Sequence, residues 1–212
     1  NTTSLIYTSG TTGNPKGVEL THKNFEVELD SVSEVLKFNQ GDKYVSWLPL
    51  AHVFGQLVDN HYWVRRALHM TIVDSPLNTV DYAKEVQPHL FISVPRIYEK
   101  IFSNIKAVLD KKAAIRLGLK IPGLSLILKN VLKKKVGFSN TRFAISGAAP
   151  INPDILKLFQ ELDIPLFEGY GMTENTAGIT INYHGNNKIG SVGKWMPFFD
   201  VKIADDGEVL IK

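Results

Sequence analysis

Between two short apolar segments near its start, the chain carries Tyr7-Thr8-Ser9-Gly10-Thr11-Thr12-Gly13-Asn14-Pro15-Lys16-Gly17. The glycines allow tight turns that bring backbone N–H groups close to an anion, and the hydroxyl groups add further donors. Lys16 adds a full positive charge. The run is not a Walker A loop, because Pro15 precedes the lysine, Gly17 follows it and a strand-like segment comes next. It predicts a loop that grips a polyphosphate. The alternative is a flexible linker, which rarely separates two apolar strands.

Around this loop, short apolar runs alternate with helical patterns. The runs predicted as strands are Leu5–Tyr7, Val18–Leu20, Tyr44–Leu48, Met70–Val73, Leu90–Val94, Phe143–Ser146 and Pro165–Phe167. Helices are predicted over residues 22–38, with Thr21 as N-cap, and over residues 53–66, 78–86, 96–136 and 152–162. This alternation is typical of an α/β fold with a largely parallel sheet. From about residue 178, short strands and glycine turns, including a hairpin turn at residues 205–207, indicate a β-rich subdomain.

Composition limits the classes of protein that need to be considered. The 212 residues suffice for one large domain or two small subdomains, and 44% hydrophobic with 21% charged residues is typical of a soluble globular protein. The net charge of +3 does not point to nucleic acid, and the lack of cysteine excludes disulfides, thiolate zinc sites and a cysteine nucleophile. Both ends adjoin strand-like runs, so we expect a piece of a longer, cytoplasmic protein.

Residues 100–142 are strongly basic, with eleven Lys or Arg and one acid, Asp110. Within them, residues 111–136 interleave lysines with leucine and isoleucine. One interpretation is a helical pair with a solvated lysine face. The other is a basic amphipathic surface that rests on an anionic membrane, which would make the protein peripheral at that membrane. Nucleic acid is not predicted as a partner, because no aromatic residues interleave with these lysines.

The run from Tyr7 to Asn24 resembles the phosphate-loop signature of the adenylate-forming superfamily, which includes acyl-CoA synthetases, firefly luciferases and the adenylation domains of peptide synthetases. Four later segments resemble the same family in the same order: Trp47–Gly55, Ser93–Lys100, Ser146–Pro150 and Phe167–Glu174. The second of these is similar to a segment of the long-chain acyl-CoA synthetase branch. The run Gly190–Lys194 resembles the start of the family's β-rich subdomain.

The resemblance implies a fold and a division into domains. It implies the central part of the acyl-CoA synthetase-like large domain, with a mostly parallel sheet flanked by helices. Residues 1–177 would form the α/β AMP-binding core and residues 178–212 the start of the β-rich subdomain. The family's ribose-binding aspartate and its C-terminal domain with the catalytic lysine would lie outside the chain, so we expect the chain alone to be inactive or nearly so.

The resemblance also implies roles for individual residues. It assigns Tyr170 to the adenine, Thr173 to the α-phosphate, Glu174 to Mg²⁺ and Lys16 to the phosphates, with the last three as catalytic residues. His52 would line the acyl side, although a lone histidine before an apolar helix is often only structural. The remaining residues expected at the nucleotide are Thr8, Ser9, Gly10, Thr11, Thr12, Gly13, Gly147, Ala148, Ala149, Pro150, Glu168, Gly169, Gly171 and Met172.

The activity implied is ATP-dependent activation of a long-chain fatty acid, first to acyl-AMP with release of pyrophosphate and then to acyl-CoA with release of AMP. ATP, Mg²⁺ and coenzyme A would take part, with the fatty acid and coenzyme A as partners. One alternative is a fatty acyl-AMP ligase or another carboxylate-adenylating enzyme. An alternative of a different class is a non-catalytic module that binds a nucleotide or a membrane.

Overall fold

A computed structural model describes residues 1–8 and 13–212, so four residues of the predicted phosphate loop, Ser9, Gly10, Thr11 and Thr12, lie outside the described residues. The strands on either side of that loop, β1 (Thr2–Thr8) and β2 (Lys16–Thr21), form an antiparallel two-stranded sheet. Thr8 pairs with Lys16 in its register. The two described ends of the loop are therefore held side by side, as in a hairpin.

The centre of the fold is a seven-stranded mixed sheet with the strand order β4-β3-β5-β6-β7-β8-β9. The strands are β3 (Lys43–Ser46), β4 (His69–Ile72), β5 (Leu90–Ser93), β6 (Phe143–Ser146), β7 (Leu166–Tyr170), β8 (Thr180–Ile181) and β9 (Lys194–Trp195). Pairing is parallel from β4 to β7 and antiparallel from β7 to β9. The predicted α/β class with a mostly parallel sheet is confirmed.

Helices follow the strands as predicted, with one difference in the basic region. The α-helices are α1 (His22–Val35), α2 (Val53–Gly55), α3 (Trp63–Arg66), α4 (Thr79–Val86), α5 (Pro95–Lys111), α6 (Ala113–Gly118), α7 (Leu124–Val136) and α8 (Pro153–Glu161). The helical region predicted over residues 96–136 divides into α5, α6 and α7. The last break contains Pro122 and Gly123, and the φ of +81° at Gly123 cannot continue a right-handed helix. Among the described residues, no helix is both long and apolar enough to span a bilayer.

The helix predicted over residues 53–66 contains a π-helical segment, Gln56–Tyr62, between α2 and α3. Its buried Asp59 accepts hydrogen bonds from the hydroxyl groups of Tyr44 and Ser46 on β3. Burial raises the pKa of Asp59, and the two hydrogen bonds act against that rise. The carboxyl group thus fixes the π-segment to the sheet. Such segments are frequent at functional sites, and this one turns Leu57, Val58 and Tyr62 into the cavity described below.

After residue 178 the chain continues the central sheet before it forms a separate hairpin. β8 and β9 extend the sheet, so the changed sequence pattern there marks the switch from parallel to antiparallel pairing. β10 (Val201–Ile203) and β11 (Val209–Ile211) form a two-stranded sheet of their own. The turn predicted at residues 205–207 joins them, with a φ of +90° at Gly207. The division of the chain at residue 177 stays a prediction.

The sheet is buried on both faces because successive side chains of each strand point in opposite directions. Leu90 and Ile92 of β5 belong to the core beneath β1, β2, α1 and the residue 53–66 helix. Phe91, between them, belongs to the core beneath α4, α5, α7 and α8. Both faces of β5 and β6 are apolar, which explains why their sequences show no alternation of polar and apolar residues.

Thr21 begins α1 with a capping box. Its hydroxyl accepts a hydrogen bond from the Asn24 N–H at 3.3 Å, and the Asn24 side chain accepts one from the Thr21 N–H at 2.9 Å. We expect Thr21→Ala to lower the free energy of unfolding by about 1 kcal/mol, because it leaves helix N–H groups unsatisfied. For a chain of this size that corresponds to a fall in Tm of roughly 2–4 °C. Thermal melts of wild type and variant measure it.

Thr21→Ser is the matched control for this prediction, because it keeps the hydroxyl group that accepts the capping hydrogen bond. We expect its Tm to lie much closer to that of wild type. Equal losses in both variants would mean that the Thr21 methyl group, rather than the cap, stabilises this end of α1.

Candidate functional site

A mostly apolar cavity of about 430 Å³ lies where the parallel strands β5, β6 and β7 end. The carboxyl ends of such strands are the usual ligand-binding edge of an α/β sheet. Its walls come from α1, the residue 53–66 helix, the three strand ends and the segment from Ala177 to Ile181. The lining side chains that sequence analysis did not predict include Glu28, Val32, Leu36, Leu57, Tyr62, Ala177, Gly178 and Met196.

The predicted site residues of the segment Gly169–Thr173 line this cavity together. Tyr170 ends β7 with its side chain 40% exposed, which leaves its ring free to stack on a ligand, as predicted. Gly171 is required by a close approach, since a Cβ atom there would lie 1.5 Å from the carbonyl oxygen of Ala177. The glycine therefore serves chain packing as much as exposure of the tyrosine ring.

The turn after β6 contributes Gly147 and Ala148 to the cavity, whereas Ala149 and Pro150 are exposed and lie outside its lining. Ala148 has a φ of +67°, in the left-handed region that favours glycine. This explains why similar sequences often carry a second glycine at this position. Alanine there stores roughly 1–2 kcal/mol of backbone strain, of the kind that occurs at binding sites.

Glu168 does not face the cavity. Its side chain is buried, and its Oε1 atom accepts a hydrogen bond from the N–H of Ile151 at 3.2 Å. The Glu168 carbonyl also accepts a hydrogen bond from the N–H of Asn182 at 3.0 Å. Glu168 thus joins the end of β7 to the turn at residues 147–150 and to the segment after β8. A contact with the nucleotide through its side chain remains a prediction.

Glu174 and the phosphate-loop hairpin lie near each other, outside the cavity lining. Glu174 is exposed on a 3-10 turn, Thr173–Asn175, and this turn and β2 approach each other with Cα atoms within 8 Å. Lys16, at the start of β2, and Gly13, with a φ of +98°, are also exposed. The hairpin base, Glu174 and the cavity residue Thr173 therefore share one region of the molecule.

The donor set at Glu174 suits Mg²⁺ that arrives with a nucleotide rather than a resident metal. In the part of the chain that the structure describes, no group of three or more His, Asp or Glu side chains could hold a metal ion. Magnesium usually keeps several waters and uses one or two carboxylates together with substrate phosphates. A single exposed carboxylate beside a loop of the predicted kind meets that requirement.

His52 lies immediately before α2 and lines the cavity with an exposed side chain. Its side chain makes no capping hydrogen bond to the helix, so α2 does not need its imidazole for stability. This position is compatible with the predicted contact on the acyl side. The contact itself remains a prediction.

Glu28 was missed by sequence analysis although it is the most unusual residue of the cavity. It lies on the buried face of α1 between Phe25 and Leu29, with 1% of its surface exposed. Its Oε1 atom accepts a hydrogen bond from the Gly178 N–H at 3.0 Å, and its Oε2 atom has no partner among the described residues. Burial raises the pKa of Glu28 well above its usual value, against the opposing effect of the Gly178 hydrogen bond. An acid on the apolar face of a predicted helix was the available signal.

A family model described as AMP-binding enzyme matches residues 1–211. The chain is 34% identical to the human long-chain-fatty-acid–CoA ligase ACSBG2 over 90% of its length. It is 32% identical to the peroxisomal long chain acyl-CoA synthetase 6 of Arabidopsis thaliana over 97%, and 30% identical to the long-chain-fatty-acid–CoA ligase FadD15 of Mycobacterium tuberculosis over 99%. The chain spans 33%, 32% and 39% of the length of these relatives, respectively.

Solved structures share the fold at lower sequence identity. The o-succinylbenzoate coenzyme A synthetase of Bacillus subtilis, in complex with AMP, aligns with a TM-score of 0.72 and 23% identity, covering 99% of this chain and 38% of that one. The N-terminal domain of FACL13 from Mycobacterium tuberculosis aligns with a TM-score of 0.68 and 22% identity, covering 97% and 46%. With the match of the family model over residues 1–211, the chain belongs to the AMP-binding enzyme family.

Proposed function

We propose that the protein activates a long-chain fatty acid with ATP, forming an acyl-AMP and then an acyl-CoA. The observation that carries this proposal is the apolar cavity that opens beside Thr173, Glu174 and the base of the phosphate-loop hairpin. One site thus combines room for a hydrocarbon chain with groups suited to a nucleotide. The relatives named as long-chain acyl-CoA synthetases support the same substrate.

The first step joins the substrate carboxylate to the α-phosphorus of ATP and releases pyrophosphate. It needs an in-line approach of the carboxylate oxygen and neutralisation of the charge on the phosphates, which positioning and preorganised donors supply. Lys16 and the loop N–H groups would hold the phosphates, and Thr173 would donate to an α-phosphate oxygen. Glu174 would hold Mg²⁺, which supplies positive charge at the phosphate oxygens when it is bound.

In the second step the sulfur of coenzyme A attacks the acyl carbon, and AMP leaves with the electrons of the broken carbon–oxygen bond. The mixed anhydride makes this carbon reactive enough for a thiol. Of this chain's residues, Tyr170 would hold the adenine through ring stacking, while Gly147 and Ala148 would lie along its edge. His52 would stand on the acyl side. The family's catalytic lysine has no counterpart among the residues assigned in this chain.

The cavity distinguishes a fatty acid from small polar acids. Each buried CH₂ group contributes about 0.8 kcal/mol to binding, so an apolar cavity favours a hydrocarbon chain strongly. A fatty acyl-AMP ligase would share this cavity and differ only in the acceptor of the acyl group. A non-catalytic module would bind nucleotide without chemistry. Fatty-acid-dependent exchange of labelled pyrophosphate into ATP by the whole protein tests the first step, and exchange without any fatty acid dependence would contradict the proposal.

Glu174→Gln keeps the size of the side chain and removes the charge that would hold Mg²⁺. We expect it to lower fatty-acid-dependent pyrophosphate exchange by roughly 10- to 100-fold, in line with the loss of one interaction to a charged group. The loss should be smaller at high Mg²⁺ concentration. Initial exchange rates over a Mg²⁺ titration measure both effects.

The control for this prediction is Glu161→Gln, which neutralises another exposed carboxylate at the end of α8, away from the cavity lining. It should leave the exchange rate and its Mg²⁺ dependence unchanged. If Glu174→Gln behaves in the same way as this control, Glu174 does not bind the metal.

We also propose that residues 111–136 contact an anionic lipid surface. Leu117, Leu126 and Ile127 of α6 and α7 are more than 60% exposed, although such side chains are usually buried. Lysines at positions 120, 129 and 133–135 surround them, and only Leu132 and Val136 of α7 are buried. An apolar patch within a basic rim is the pattern of helices that lie in a membrane interface. It would bring the enzyme to a substrate that partitions into lipid.

Flotation of the chain with vesicles measures this contact. We expect binding to vesicles that contain anionic lipid and little binding to neutral ones, with the bound fraction falling as salt rises. The double variant Leu126→Ser, Ile127→Ser should lose most of the binding. Leu77→Ser, which changes an equally exposed leucine outside α6 and α7, should not. Binding that is absent, or independent of lipid charge, would leave these helices as a solvated face.

A further inference from the structure

The carboxyl group of Glu28 is only half satisfied by the protein. Oε1 accepts the Gly178 hydrogen bond at 3.0 Å, while Oε2 is buried without a partner from any described residue. Buried polar atoms are nearly always hydrogen-bonded, so an exception on the wall of a cavity marks a place where a ligand completes the bonding. The other side chains near this wall, Val32, Leu36 and Met196, are apolar.

A purely structural role explains only part of this arrangement. Capping the Gly178 N–H needs one oxygen atom, which a glutamine or a backbone carbonyl could also supply. A carboxyl group adds a second oxygen inside an apolar cavity, where each unsatisfied polar atom destabilises the fold. The fold tolerates this at Glu28 although a hydrophobic residue of similar length would pack there.

We propose that Glu28 is a specificity-determining residue that hydrogen-bonds a hydroxyl group carried by the acyl chain of the substrate. This inference rests on the proposed function, since it assumes that the cavity holds the acyl chain. A hydroxyl group both donates and accepts, so it can pair with the carboxyl group in either protonation state. The raised pKa of Glu28 favours the neutral form, which donates to the hydroxyl oxygen and offers little attraction to a cationic substituent.

The position of Glu28 indicates where along the acyl chain this hydroxyl group lies. The bonded Gly178 packs directly on Gly171, because a Cβ atom at Gly171 would lie 2.8 Å from the Gly178 Cα. Gly171 belongs to the segment that also contributes Thr173, the residue proposed to meet the α-phosphate. Glu28 is thus close to the end of the cavity where the substrate carboxylate is activated. The substrate class is a fatty acid with a hydroxyl group near its carboxyl end.

Binding of three acids of equal length to the chain, with AMP present, tests the inference. The probes are the unsubstituted fatty acid, its β-hydroxy derivative and its ω-hydroxy derivative, measured by titration calorimetry. We expect wild type to bind the β-hydroxy acid roughly tenfold more tightly than the unsubstituted acid, because one buried hydrogen bond is gained. The ω-hydroxy acid should gain nothing, since its hydroxyl group does not reach Glu28.

Two substitutions at Glu28 separate recognition from structure. Glu28→Gln keeps the acceptor for Gly178 and places an N–H donor at the second position, so the preference for the β-hydroxy acid should remain. Glu28→Met removes both polar atoms, so the preference should disappear while the unsubstituted acid still binds. Glu34→Met changes an exposed glutamate of the same helix and should leave all three affinities unchanged.

The outcomes distinguish this inference from the proposed function. If wild type binds all three acids equally, or if Glu28→Met keeps the preference, Glu28 only caps Gly178 and the inference is wrong. If none of the acids binds, the cavity does not hold an acyl chain, and the proposed function fails together with the inference. The comparison of acids on wild type decides even if Glu28→Met does not fold.

Discussion

The functional region depends on the register in which three parallel strands pair. Ser93 of β5 lies opposite Ser146 of β6, which lies opposite Glu168 of β7. Because the strands run in the same direction, the segments that follow them leave the sheet at one edge. The turn at residues 147–150 and the loop at residues 169–173 therefore meet at the cavity. A shift of one residue in either pairing would turn buried side chains to the opposite face and separate these segments.

A second constraint closes the cavity from the side opposite the strands. Gly171 and the segment at Ala177–Gly178 are in direct contact, and Gly178 in turn bonds to Glu28 of α1. Since β2 leads directly into α1 through the Thr21 cap, the hairpin that holds the phosphate loop is connected to the cavity wall. The loop that would bind phosphate and the wall that would bind the acyl chain are thus parts of one continuous segment, residues 1–35.

Much of this arrangement could be predicted from sequence, because it follows from local rules. The alternation of apolar runs and helical patterns predicted the α/β class, and a threonine before a helical run predicted the cap at residue 21. The glycines near Tyr170 and the small residues after β6 predicted two cavity segments. The π-segment could not be predicted, since it depends on Asp59 finding Tyr44 and Ser46 on a strand earlier in the chain. The continuation of the sheet by β8 and β9 also depends on distant pairing, which two-residue strands do not reveal.

Two buried carboxyl groups show how structure separates a fold-forming residue from a binding residue of the same chemistry. Asp59 and Glu28 both lie on the buried faces of helices, and burial raises the pKa of each. Asp59 receives hydrogen bonds at both oxygens, so the protein itself completes its bonding. Glu28 receives one at a single oxygen and presents the other within an apolar cavity. Because sequence alone shows two acids in apolar helical patterns, only their partners distinguish them, and the incomplete set belongs to the residue that lines the site.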